Sequence, residues 1–184
     1  MKYQTTILST AIVLALTGCG SPDKPSAPPA APATPAPKAS ASAAPPTYIK
    51  PTQDRPAGIP AALAGVESCF LDAVNDIPAQ DANAVPDKSK VKLLGWAGNL
   101  AKGSSPQEVW IEFYGAGTAY IKALRDVKRP DVASAFKAPG LVDAGWQAFV
   151  DLSALPSGVY KIRVTMPDGQ QGSTCETKRT IQIN

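Results

Sequence analysis

No histidine occurs anywhere in the 184-residue chain. That absence removes Ser-His-Asp and Cys-His activation of a nucleophile, and with it the usual zinc sites. Only three cysteines are present, and an odd count in an exported protein leaves one thiol to be accounted for separately. Charge of either sign is not in excess, with 18 basic and 15 acidic residues, and no run of Lys and Arg is longer than two. Neither nucleic acid nor a polybasic membrane contact is indicated. The most apolar run, Ile7 to Leu16, falls short of the ~20 residues that a membrane-spanning helix needs.

An enzyme built from these residues would depend on carboxylate or Ser/Lys chemistry, and no motif for either is present. Lys102-Gly103-Ser104-Ser105 reads as a solvated turn. Gly115-Ala116-Gly117 has no third glycine and no helix after it, so it reads as a hairpin turn rather than a phosphate loop. Asp81 to Asp87 places Val85 and Pro86 where a calcium loop needs a ligand and a glycine, and reads as a plain loop. The sequence therefore predicts a protein that is not an enzyme and that uses no metal and no cofactor.

The N-terminus is more informative. Lys2 precedes the apolar run, and Leu16-Thr17-Gly18-Cys19 follows it directly. A positive start and an apolar stretch of this length are the parts of an export signal. With the small residues before Cys19, this resembles a bacterial lipoprotein signal peptide with its lipobox. The resemblance implies that residues 1–18 are removed and that Cys19 carries the lipid, so the membrane is a partner through that anchor. A signal with an ordinary cleavage site is the alternative. Gly20 and Ser21 follow Cys19, where an Asp would resemble an inner-membrane retention signal, so the expected location is the outer membrane of the envelope. With Cys19 assigned to lipid, Cys69 and Cys175 remain. An oxidising compartment favours a bridge between them, and two unpaired buried thiols are the alternative.

Residues 19–61 are dominated by Pro and Ala, as in Pro28-Pro29-Ala30-Ala31-Pro32. Such a segment buries too little apolar surface to offset the entropy of ordering it. It predicts a disordered linker, a semi-stiff stalk in which about forty residues reach on the order of 120 Å at ~3.1 Å each.

Residues 66–184 have globular composition and are enough for one core. Short strand signals recur between turn residues at Glu67–Val74, Lys90–Ala97, Glu108–Tyr114, Thr118–Leu124, Trp146–Leu152, Val159–Met166 and Thr174–Ile183. The alternation is clearest in Val159–Met166, where Tyr160, Ile162, Val164 and Met166 share a face. One short helix is predicted at Pro130–Phe136, with Pro at its first position and Pro139-Gly140 beyond its end. The fold class is all-β: a single two-sheet sandwich of about seven strands with one short helix.

Two stretches carry a further resemblance. Leu152 to Tyr160 is similar to the Leu-x-x-Gly-x-Tyr corner of immunoglobulin-like and fibronectin-like domains, which implies that Tyr160 is buried with its hydroxyl on upstream backbone near Leu155. Gly95-Trp96-Ala97, Arg129-Pro130-Asp131-Val132-Ala133 and Gly145-Trp146 resemble bacterial immunoglobulin-like modules, with Trp146 where Phe is commoner. Those modules mostly lack a cysteine pair, and their architecture says little about activity.

Period-two geometry places Val109, Ile111 and Phe113 on the core side of their strand. Trp110, Glu112 and Tyr114 then form a candidate binding surface on the other side. Trp96 and Trp146 read as core. Arg125, Lys128 and Arg129 read as a turn whose Arg129 bonds into the loop. These observations together predict a lipid-anchored envelope protein that presents an immunoglobulin-like domain on a stalk. It would bind an envelope protein or, as the alternative, a glycan, with no role for nucleic acid.

Overall fold

The computed structural model describes residues 45–184. The expected leader, the lipidation site Cys19 and the linker up to residue 44 lie outside the described residues. Within them the chain is an all-β sandwich with one short helix. Eleven strands occur in chain order: β1 Ala64–Gly65, β2 Cys69–Val74, β3 Ile77–Pro78, β4 Ala82–Val85, β5 Val91–Ala97, β6 Trp110–Gly115, β7 Thr118–Lys122, β8 Leu124–Val127, β9 Gly145–Val150, β10 Gly158–Asp168 and β11 Gln171–Ile183. Helix α1 spans Pro130–Ala135, with Pro in its first turn.

Sheet I has the order β3-β2-β5-β9-β8. Sheet II has the order β1-β11-β10-β6-β7, and β4 also pairs with β11. All pairings are antiparallel except those of β1 and β4 with β11, which are parallel. All seven expected strands are present, and four short ones join them. Thr118–Leu124 divides, because the chain leaves sheet II after Lys122 and enters sheet I at Leu124. The expected loop at Asp81–Asp87 contains β4, where alternation buries Asn83 and Val85 against β11.

The inward faces of both sheets form one core. Sheet I contributes Leu71, Leu93, Trp146, Ala148 and Val150, and sheet II contributes Ile111, Phe113, Ile162, Val164 and Ile181. Trp146 is fully buried with its indole lying over Gly95, where a Cβ would come within 2.4 Å of Cζ2. Only glycine leaves room for the ring at that pairing. Tyr160 is fully buried, and its hydroxyl donates to the carbonyl of Pro156 at 2.9 Å, one residue from the expected corner.

Cys69 and Cys175 form a disulfide across a sequence separation of 106 residues. It joins β2 of sheet I to β11 of sheet II on the open side of the sandwich. Here β1 pairs with β11 only at Ser173 and Thr174, and β4 only from Thr180 onward. The β11 ladder is bulged between these points, with Lys178 at φ 59°, and a bulge discourages pairing with a foreign strand.

The composition-based boundary at residue 61 falls inside the folded region. The Ile49 amide donates to the Phe149 carbonyl at 3.0 Å, and its own carbonyl accepts from Asp151, which extends the edge of sheet I. Thr52 and Tyr120 exchange two backbone hydrogen bonds at 2.9 and 2.7 Å at the β7 edge of sheet II. From there the chain passes Gly58 against the Trp110 ring, buries Ile59, and reaches β1 beside β11. Residues 49–65 thus form a strap that runs from one edge of sheet II to the other over its outer face. Thr165 records the crossing. It pairs with Trp110 on one side and Thr174 on the other, so it points outward, yet it is only 1% exposed.

Candidate functional site

The outer face of sheet II carries the three residues singled out from alternation, and β6 does turn Trp110, Glu112 and Tyr114 away from the core. The strap changes what they present. Trp110 is half-buried, with Gly58 packed on its ring, Lys122 Nζ 5.9 Å from the ring centroid, and Nε1 donating to Glu108 at 3.4 Å. The open indole expected there is not present. A Pro/Ala-rich composition carries no periodicity, so it gave no sign that this segment packs.

The next row across the same face is a chain of charges. Tyr120 donates to Glu112 at 3.3 Å, Arg163 Nη1 donates to Glu112 at 3.2 Å, and Arg163 Nε and Nη2 donate to Glu176 at 3.0 and 2.7 Å. The Tyr114 hydroxyl donates to the other Glu176 oxygen, and the Arg163 guanidinium lies 4.3 Å from the Tyr114 ring centroid. Desolvation raises the Tyr114 pKa, and the hydrogen bond to Glu176 adds to the rise. Glu176 loses some solvation, but hydrogen bonds from Tyr114 and Arg163 outweigh that and hold its carboxyl below the ordinary value. The network is internally satisfied, so most of its donors and acceptors are already committed.

The outer face of sheet I is built differently. In β5, Val91, Leu93 and Ala97 point inward, so Lys92, Leu94 and Trp96 point outward. Trp96 therefore lies outside the core between the sheets, and it packs instead against a second buried cluster of Val132, Leu141 and Ala144. Its ring is half-buried and lies 5.5 Å from the Phe136 ring, just past the end of α1. Phe70 stands directly opposite Trp96 on β2. The outer two rings are open to water, Phe70 at 38% and Phe136 at 46% exposure. Arg179, which pairs with Asp81, covers one side of Phe70 with its guanidinium 5.2 Å from the centroid.

A charged row borders these rings. The stem of Arg129 lies over Gly145, where a Cβ would come within 2.8 Å of Cγ, and its guanidinium reaches across to Asp72 on β2. The same guanidinium holds both oxygens of Asp131, at 3.0 and 2.8 Å. The two carboxylates respond in opposite directions. The hydrogen bond from Arg129 lowers Asp131 to about 2, whereas burial raises Asp72 in spite of the same guanidinium. The other members of the basic cluster are structural as well. Arg125 donates to the carbonyls of Gln107 and Asp143 at 3.0 Å each, and Lys128 pairs with Asp143.

Among the described residues, no group of three His, Cys, Asp or Glu side chains is placed to hold a metal ion. The concavities are open, such as a groove of about 420 Å³ between Asn99–Lys102 and Asp168–Ser173, crossed by the Lys102–Asp168 ion pair at 2.9 Å. No family model matches the chain, and comparison with curated proteins and with solved structures finds no match either.

Proposed function

We propose that this protein acts by binding another component of the bacterial envelope. In this reading the chain is exported and anchored by lipid on Cys19. The Pro/Ala-rich segment after Cys19 acts as a stalk, and the outer membrane is the site of anchorage. The immunoglobulin-like sandwich is the part that makes contact. The observation that carries the reading is the row Phe70, Trp96 and Phe136, which leaves two aromatic side chains in water on a face that the chain's own strap does not cover. Large aromatic rings kept in water commonly mark a contact surface. A sandwich stapled by Cys69–Cys175 holds such a row rigid, so little order has to be gained on binding.

Two measurements test the proposal. Mass spectrometry of the mature N-terminus should find an acylated Cys19, and Cys19→Ala should leave the protein released or unprocessed. In-cell crosslinking of the intact lipoprotein should then recover a specific envelope component through residues beside Phe136. An unmodified mature N-terminus at another residue would remove the anchor from the proposal. Crosslinks that scatter evenly over the surface would remove the binding role.

A further inference from the structure

We infer that the row Phe70, Trp96 and Phe136 is a binding site for an uncharged glycan chain, with the open rings of Phe70 and Phe136 as the stacking surfaces and Trp96 anchored between them on the cluster of Val132, Leu141 and Ala144. The inference rests on the binding role proposed above and names its ligand class and its surface. Three features of the row select the ligand.

The first is shape. Phe70 and Trp96 are cross-strand partners, and the Trp96 and Phe136 centroids are 5.5 Å apart with a 51° tilt, so the three rings follow one another across the sheet face with the outer two open to water. A pyranose with equatorial substituents offers a flat C–H face that stacks on such rings, and a β-1,4-linked chain presents that face repeatedly.

The second is hydrogen bonding. Asp131 is 63% exposed; Arg129 bonds both of its oxygens and the backbone amides of Asp131 and Val132 also act on them, while its open side stays in water. Asp72 uses one oxygen for Arg129 and keeps the other. Sugar hydroxyls donate to such acceptors. An apolar protein anchor would strip water from both carboxylates without replacing it, which is costly. This favours a hydroxyl-rich ligand over a protein surface.

The third is charge. Asp72, Asp81 and Asp131 border the row, against Arg129 and Arg179, and both guanidinium groups are engaged by those carboxylates. With Lys137 beside Phe136, charges of the two signs balance around the row, so no excess of either sign selects an ionised polymer, and a neutral sugar fits the row. Arg129 acts as a positioning residue that fixes both carboxylates, because its stem is held over Gly145.

The test is titration of the full-length lipoprotein in detergent micelles with three hexasaccharides: β-1,4-linked glucose, β-1,4-linked N-acetylglucosamine and galacturonate. Calorimetry and the fluorescence of Trp96 are the readouts. One of the two neutral oligosaccharides should bind, and galacturonate should bind about tenfold more weakly or not at all. Phe136→Ala and Phe70→Ala should each weaken binding about tenfold, while Trp110→Phe on the opposite face leaves it unchanged. Thermal melts confirm that the variants are folded. Equal affinity in wild type, Phe136→Ala and Phe70→Ala would overturn the site while the binding role stood. No glycan binding, with in-cell crosslinks from Phe136 running to a protein, would overturn the ligand class alone. No glycan binding and no specific crosslink would overturn both this inference and the proposed function.

Discussion

Trp110 and Trp96 occupy matching places on opposite outer faces of the sandwich. Each points out of a central strand whose alternate residues fill the core, Ile111 and Phe113 in one case and Val91 and Leu93 in the other. Their surroundings differ. Trp110 lies under a strap that hydrogen-bonds to the edges of both sheets, and the neighbouring Glu112, Tyr114, Arg163 and Glu176 are tied to one another. Trp96 is flanked by rings that are themselves open, and its border of carboxylates stays partly in water. Strand alternation decides which side chains leave the core. Whether they reach water is decided by segments outside the strands. The face the chain covers with its own strap is stability surface, and the rings left open on the other face are the ones the proposed contact would use.

The largest effect concerns what holds the two faces back to back. Cys69–Cys175 joins the sheets on the side that no strand closes, across a separation of 106 residues. In the chain-entropy model, opening a loop of that length costs about 4–5 kcal/mol. Urea melts with and without reductant should differ by that amount, with both faces losing order together. A midpoint that does not move on reduction would show that β1 and β4 close this side by themselves.

The strap comes next. Ile59 is 6% exposed although it lies outside every strand. Ile59→Ala should cost about 2–3 kcal/mol, the lower part of the range for buried Ile truncations, because a surface segment can partly collapse. It should also raise acrylamide quenching of Trp110, measured in a Trp96→Phe background. No change in quenching would mean that the strap does not shield Trp110, and the contrast between the faces would fail.

Much of this contrast can be read in the residues themselves. The alternation in β6 and β10 orients Trp110, Glu112, Tyr114 and Tyr160 correctly, because a half-buried strand must sort its side chains with period two. The same rule applied to β5 orients Trp96 outward with Lys92 and Leu94, away from the core between the sheets. Strand β4 was missed because a parallel pairing with β11 gives four residues no turn signal of their own. The strap was missed because its attachment is made by backbone hydrogen bonds at Ile49 and Thr52, which are indifferent to side-chain type. The charged row needed three strands and α1 brought together, so Asp72 and Arg129, 57 residues apart, show no local pattern.

Acid should distinguish the two carboxylates on the bare face. Asp131 has a folded pKa of about 2 against an ordinary 3.8, so the stability it contributes is fully present above 3.8 and is lost as pH falls through about 2. Asp72 is raised, so it carries a penalty at neutral pH that is relieved as pH falls through its folded value. Carboxyl NMR should therefore show Asp72 taking its proton first and Asp131 last. The reverse order would mean that Arg129 does not hold Asp131 as described, and the acceptor row beside Trp96 would lose its basis.

The smallest effect on stability is the most discriminating. Phe136 and Phe70 are exposed, so Phe136→Ala and Phe70→Ala should each shift unfolding by no more than about 0.5 kcal/mol. Trp110→Ala on the covered face should cost about 2 kcal/mol. That is less than a fully buried Trp because the ring is half-buried, but well beyond a surface change. The three variants, compared in one denaturant series, measure the difference between the faces directly. If Phe136→Ala were as costly as Trp110→Ala, the ring would be an extension of the core that happens to meet water, and stability alone would explain its presence. If all three were silent, the strap would contribute no packing at Trp110, and both faces would be equally open to a partner. A costly Trp110→Ala beside silent changes at Phe70 and Phe136 leaves those two rings without a stabilising role, and contact with a ligand is then what accounts for them.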